Sequence, residues 1–108
     1  MYFYNLDQMR YKWKREGVYI KVISGENVQM QFAKLEPGFV SDHSHPHEQM
    51  GQVISGELEL TIAGEKKKCR AGDLYYIPGH VQHSFKVLSE HPIEILDIFS
   101  PPKEENKI

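Results

Sequence analysis

The segment His43-Ser44-His45-Pro46-His47-Glu48-Gln49 concentrates side chains that bind metal ions. Side chains two apart in an extended chain point to the same side. His43 and His45 therefore present two imidazoles to one face, and Gln49 shares their parity beyond Pro46. His83 opens a later apolar run that contains Phe85 and Val87. An imidazole turned toward an apolar wall is costly unless something satisfies it. A metal ion would satisfy several at once, since neutral imidazole is the commonest protein metal ligand. The candidate metal ligands are His43, His45, Gln49 and His83. His47 has the ligand parity too and competes with Gln49 for its place. Glu48 has the opposite parity and reads as a solvated or supporting carboxylate. His80 and His91 fall in turn segments and read as surface residues.

Three imidazoles and one amide carry no charge. Such a donor set leaves the full dication charge facing the cavity, and an octahedral ion would keep two positions open. That arrangement suits polarising a carbonyl, hydroxyl or carboxylate oxygen as a Lewis acid. The implied cofactor is one divalent transition metal. Zn, Mn, Fe, Ni and Co all fit, and the residues do not choose among them.

The elements that must position these groups are short. Runs of Val, Ile, Phe and Tyr alternate with turn signals and leave no room for a long amphipathic helix. The runs are Val18 to Ser24, Val28 to Leu35, Gln52 to Ile54, Glu57 to Ala63, Lys66 to Arg70, Leu74 to Ile77, Gln82 to Leu88 and Ile93 to Phe99. Between them lie Gly25-Glu26-Asn27, Pro37-Gly38, Ser55-Gly56, Gly64-Glu65, Ala71-Gly72-Asp73, Pro78-Gly79 and Glu90-His91-Pro92. About eight strands at this spacing predict an antiparallel sandwich or barrel. Val28, Met30 and Phe32 share one face of their run, and Gln29 and Gln31 take the other.

The chain has 108 residues and a formal net charge of -2, so one domain over 1–108 is expected. That charge balance argues against a protein that grips nucleic acid by bulk charge. No apolar run is long enough to span a membrane. No signal-peptide pattern is visible, and the single cysteine, Cys69, has no internal disulfide partner. A cytoplasmic protein is the expectation. Residues 1–15 form an aromatic-rich N-terminal arm that must pack against the domain or a second subunit, and residues 101–108 read as a loosely held tail.

The histidine spacing resembles the first cupin motif, whose positions are here Gly38, His43, His45, Gln49 and Gly56. Gly72, Pro78 and His83 resemble the second motif. The resemblance implies an all-β, single-domain cupin β-barrel, a double-stranded jelly roll. Together with the aromatic arm it implies a homodimer. Three positions depart from the usual pattern. Gln49 stands where glutamate is common, His80 stands where glycine is usual, and Val87 stands at the second motif's final asparagine position, which is not a ligand.

The whole chain further resembles the small stand-alone cupins of pectin and alginate breakdown, which convert 4,5-unsaturated uronate monosaccharides into linear ketonised products. That resemblance rests on the length, the run His43 to Gln49 and the stretch from Leu96 to Pro102. It implies that Asp97 and Phe99 line the cavity beside the metal, with Lys103 at a position usually held by arginine. By parity Asp97 lies with Ile93, Ile95 and Phe99, so burial should raise its pKa unless the metal offsets it. Asp97 is then the candidate proton shuttle, and Lys103 the partner of the substrate carboxylate. Phe99 and Gln52 are the candidate substrate contacts. The implied partner is a small molecule, a uronate. A metal-dependent oxygenase and a non-catalytic sugar- or metal-binding sensor are the alternatives, since a fold does not fix a function.

Overall fold

The computed structural model describes residues 2–107. Among these residues the chain forms β1 (Lys12–Arg15), β2 (Val18–Ser24), β3 (Gln29–Leu35), β4 (Val40–His43) and β5 (Glu48–Ser55). It continues through β6 (Glu57–Ile62), β7 (Glu65–Arg70), β8 (Leu74–Ile77), β9 (His83–Val87) and β10 (Ile93–Ser100). Two antiparallel sheets result, in the orders β1-β2-β3-β10-β5-β8 and β4-β9-β6-β7. They face each other as a jelly roll. The ladder does not run from one sheet into the other, so the barrel is not closed by hydrogen bonds.

The apolar runs mark eight of these strands. Two more carry little apolar signal: β1 reads Lys-Trp-Lys-Arg and β4 reads Val-Ser-Asp-His. Strand β5 begins four residues before the expected Gln52, because its first half lacks a continuous apolar run: Glu48 and Met50 are exposed and only Gln49 is buried.

Cross-strand register stacks the inner residues of the larger sheet in rows. One row aligns Val18, Leu35 and Ile93, and the next aligns Ile20, Ala33, Ile95 and Val53. All seven side chains are buried. The next two rows carry the polar groups. Gln31, Asp97, Gly51 and Tyr75 align in one, and Gln29, Phe99, Gln49 and Ile77 in the other. The opposite sheet repeats the gradient: Leu58 with Val87 and Leu60 with Phe85 lie deep, and His43 with His83 lies at the polar end. One end of the domain is therefore an apolar core and the other a polar cavity.

Strand β3 shows why the cavity is polar. Alternation ordinarily buries the apolar face of a strand. Here Gln29 and Gln31 are buried, while Val28 is exposed and Met30 and Phe32 are half-buried on the outside. The inward glutamines are satisfied by the C-terminal segment. The Gln29 amide donates to the Lys103 carbonyl at 3.1 Å and accepts from the Lys103 N–H at 3.3 Å. The Asn106 amide donates to Gln31 Oε1 at 2.8 Å. Residues 102, 103 and 106 are buried as a result. The tail expected to be loosely held is thus latched across the cavity, because buried amides need partners and the tail supplies them.

The N-terminal aromatics do not enter the core. Tyr2, Phe3 and Trp13 are largely exposed. No helix of the described residues is long and apolar enough to cross a membrane.

The turn between β5 and β6 is tightly specified. Gly56 has φ +87°, and a Cβ there would lie 2.2 Å from Ile93 Cγ2. Left-handed backbone and overpacking together should make Gly56→Ala cost about 2–4 kcal/mol. Urea denaturation checks this; an unchanged midpoint would contradict the packing described.

Candidate metal centre and cavity

His43 closes β4 and His83 opens β9, and the two are direct cross-strand partners. His45 lies just beyond β4, and its ring meets both others, with centroids 5.5 Å from His43 and 4.8 Å from His83. The three can each offer a ring nitrogen within 4.8 Å of the others. His47 stays outside this trio, although its ring packs on His45.

Backbone carbonyls set the tautomers. His45 Nδ1–H donates to the His47 carbonyl at 3.0 Å, and His83 Nδ1–H donates to the Val81 carbonyl at 2.8 Å. Each Nε2 is then a bare lone pair. His83 Nε2 is buried without a hydrogen-bond partner. His45 Nε2 lies 3.1 Å from Gln49 Oε1. Two acceptors that close repel each other unless a cation sits beside them. The alternative, a flipped Gln49 amide, would turn its oxygen toward the Asp97 carboxylate, whose charged form the present orientation of Gln49 favours. An orphaned imidazole and two facing lone pairs fit a divalent metal ion. Burial is the first cause that lowers the pKa of His43 and His45, each to about 4. Both imidazoles are therefore neutral near pH 7 and free to ligate.

Asp97 is buried on the row beside the trio. The Tyr75 hydroxyl donates to Asp97 Oδ1 at 2.6 Å. Burial raises the Asp97 pKa to about 6, against the lowering effect of hydrogen bonds from Tyr75 and Gln49 and of the Lys103 charge. Gly51 makes this contact possible: a Cβ there would lie 2.2 Å from Tyr75 Cζ. Phe99 and Lys103 line the same cavity, and Lys103 Nζ sits 4.7 Å from the Phe99 ring centroid.

The structure thus gathers His43, His45, His83, Gln49, Asp97, Phe99 and Lys103 at one end of the domain. Gln52 is the exception. It is exposed on the outer face of β5, with Met50, Leu74 and Leu96 as neighbours, because its parity is opposite to that of Gln49. His80 adopts φ +67° in the rim turn and so holds the left-handed backbone of the glycine it replaces. Tyr75, Gln31, Lys14 and Arg15 are cavity or near-cavity residues that the sequence reading missed. The alternation of Gln31 with Met30 and Phe32 was visible, but ordinary burial of the apolar face would turn the glutamine outward; the position of β1 was not visible.

These donors predict a graded loss of metal. His83→Ala should weaken cobalt(II) binding by at least about 100-fold and Gln49→Ala by about 10-fold, whereas Gln52→Ala should leave it unchanged. Cobalt absorption titration measures all three. Unchanged binding in Gln49→Ala, with loss in His47→Ala, would move the fourth ligand to His47.

Comparison with known proteins gives the same placement. Residues 31–99 match the Cupin domain family. The pectin degradation protein KdgF of Dickeya dadantii is 30% identical over 95 residues, covering 83% of this chain and 84% of that protein. The structure of KdgF from Halomonas sp. superposes with a TM-score of 0.88 at 26% identity, covering 95% of this chain and 96% of that one. The HTH-type transcriptional regulator PuuR of Escherichia coli is 30% identical over 92 residues, but the chain spans 50% of its length. A jelly roll with its histidine trio at the open end, matched across most of its length by these proteins, belongs to the cupin family.

Proposed function

We propose that the protein is a metal-dependent enzyme that opens and ketonises 4,5-unsaturated uronate monosaccharides. The observation that carries this reading is Asp97: a buried carboxylate, held by Tyr75, that shares the Gln49 amide with the histidine trio. The likeness to two KdgF proteins supports the substrate class. When bound, a divalent ion would supply Lewis-acid stabilisation of charge on substrate oxygen, and Zn, Mn, Fe, Ni or Co could serve.

The chain's own groups account for the rest. Ionised Asp97 takes the proton of the anomeric hydroxyl as the bond between anomeric carbon and ring oxygen breaks. The ring oxygen becomes an enolate oxygen, and Asp97 returns the proton to the neighbouring carbon of the double bond as the enolate becomes a ketone. One proton moves and nothing is oxidised or reduced, so the step is an isomerisation. Tyr75 fixes the position of the carboxylate that moves the proton. Phe99 offers an apolar wall, and Lys103 offers a point charge to the uronate carboxylate.

A second reading has its own observation. The PuuR relative is a transcriptional regulator, which favours a cupin that binds a small molecule without turning it over.

Proton NMR of an unsaturated uronate with metal-loaded protein decides between them. The vinyl signal should disappear faster than in a no-protein blank as a linear keto product grows. Asp97→Asn should slow this by about 100-fold or more while metal binding persists. Saturable binding with no acceleration would favour the sensor.

We also propose a homodimer. The exposed Tyr2, Phe3 and Trp13 offer aromatic area that a second copy would cover. Sedimentation at micromolar concentration should show a dimer, and removing residues 1–10 should shift it toward monomer.

A further inference from the structure

Strand β1 departs from regular alternation. Lys12 pairs with Ile20 and Trp13 with Tyr19, but Val18 is then met by Arg15, with Lys14 as the extra residue. Such a bulge re-aims side chains, and bulges are common beside active sites. Its effect here is to set two consecutive residues, Lys14 and Arg15, on the wall of the same cavity. Lys103 reaches that cavity from the opposite end of the chain. Among the described residues none of these three cations is ion-paired. Burial is the first cause that lowers the pKa of Lys14 and Lys103, and neighbouring cations add to it: Lys103 lowers that of Lys14, and Arg15 that of both lysines. Asp97 and Glu105 are the carboxylates whose fields reach them. Three cations converging without a fixed counter-ion repel one another, an arrangement that an anionic guest relieves.

We infer that Lys14 and Arg15, brought together by the β1 bulge, form with Lys103 a binding site for the carboxylate of a small acidic substrate. This deepens the uronate reading and rests on it for the identity of the acid. Arg15 supplies a planar guanidinium, which can meet a carboxylate through two parallel hydrogen bonds. The two lysines add point charges on either side. A compact acid thus places its carboxylate at β1 and its oxygens toward the histidine trio.

Binding of glucuronate and of its uncharged amide to the zinc-loaded full chain tests the inference by calorimetry. Glucuronate should bind at least about 10-fold more tightly, and rising NaCl should weaken glucuronate alone. Lys14→Met with Arg15→Met should remove that advantage while changing amide binding less than about twofold; Arg15→Lys should retain part of it. The salt series and Arg15→Lys keep the test decisive should the double variant fold poorly. Malonate separates this inference from the uronate reading. If glucuronate does not bind but malonate does, with the same dependence on residues 14 and 15, the subsite stands and the uronate reading falls. Equal binding of acid and amide, no binding of either acid, or loss of both ligands together in a double variant that is folded by circular dichroism would overturn the subsite.

Discussion

The side-chain amide of Gln49 is the joint on which the cavity turns. Its oxygen faces the bare nitrogen of His45 and its nitrogen faces Asp97. An amide is one of the few side chains that can do both, because it carries an acceptor and a donor on one rigid plane. A glutamate in its place would set two carboxylates side by side and drive one of them to hold a proton. Choosing glutamine keeps the donor set neutral and lets Asp97 ionise. The row of Tyr75, Gly51, Asp97 and Gln31 then follows from the need to hold that carboxylate on its other side.

Much of this arrangement was legible in the chain. Parity alone put His43, His45 and Gln49 on one side, and turn signals separated most of the strands. The eight apolar runs correspond to strands because β-sheet formation follows local pattern where the pattern is strong. Asp97 was legible as an acid on the face of Ile93, Ile95 and Phe99. Its Tyr75 partner was not, since that contact crosses two strand boundaries and depends on the missing side chain of Gly51. The outward face of Gln52 was implicit in its spacing from Gln49.

The rest depended on contacts between distant parts of the chain. Strand β1 has almost no apolar signature, so only its pairing with β2 makes it a strand. The C-terminal segment is polar and carries Pro101 and Pro102, which reads as loose. It is held because Gln29 and Gln31 point inward, against the usual burial of the apolar face. Two amides in the interior are costly alone and nearly neutral once partnered. Local pattern cannot report such a partnership when the partners are more than seventy residues apart.

The stacking of apolar rows at one end and polar rows at the other has an evolutionary consequence. The deep rows hold the buried apolar side chains, and the rows near the mouth hold the polar and titratable groups. Substitutions near the mouth can therefore change what the cavity holds without emptying the core on which folding relies. A scaffold divided in this way tolerates experiment: ligands, acids and anchoring cations can be exchanged one row at a time. That division gives a physical reason why a single small architecture can serve both a pectin degradation protein and a transcriptional regulator among its relatives.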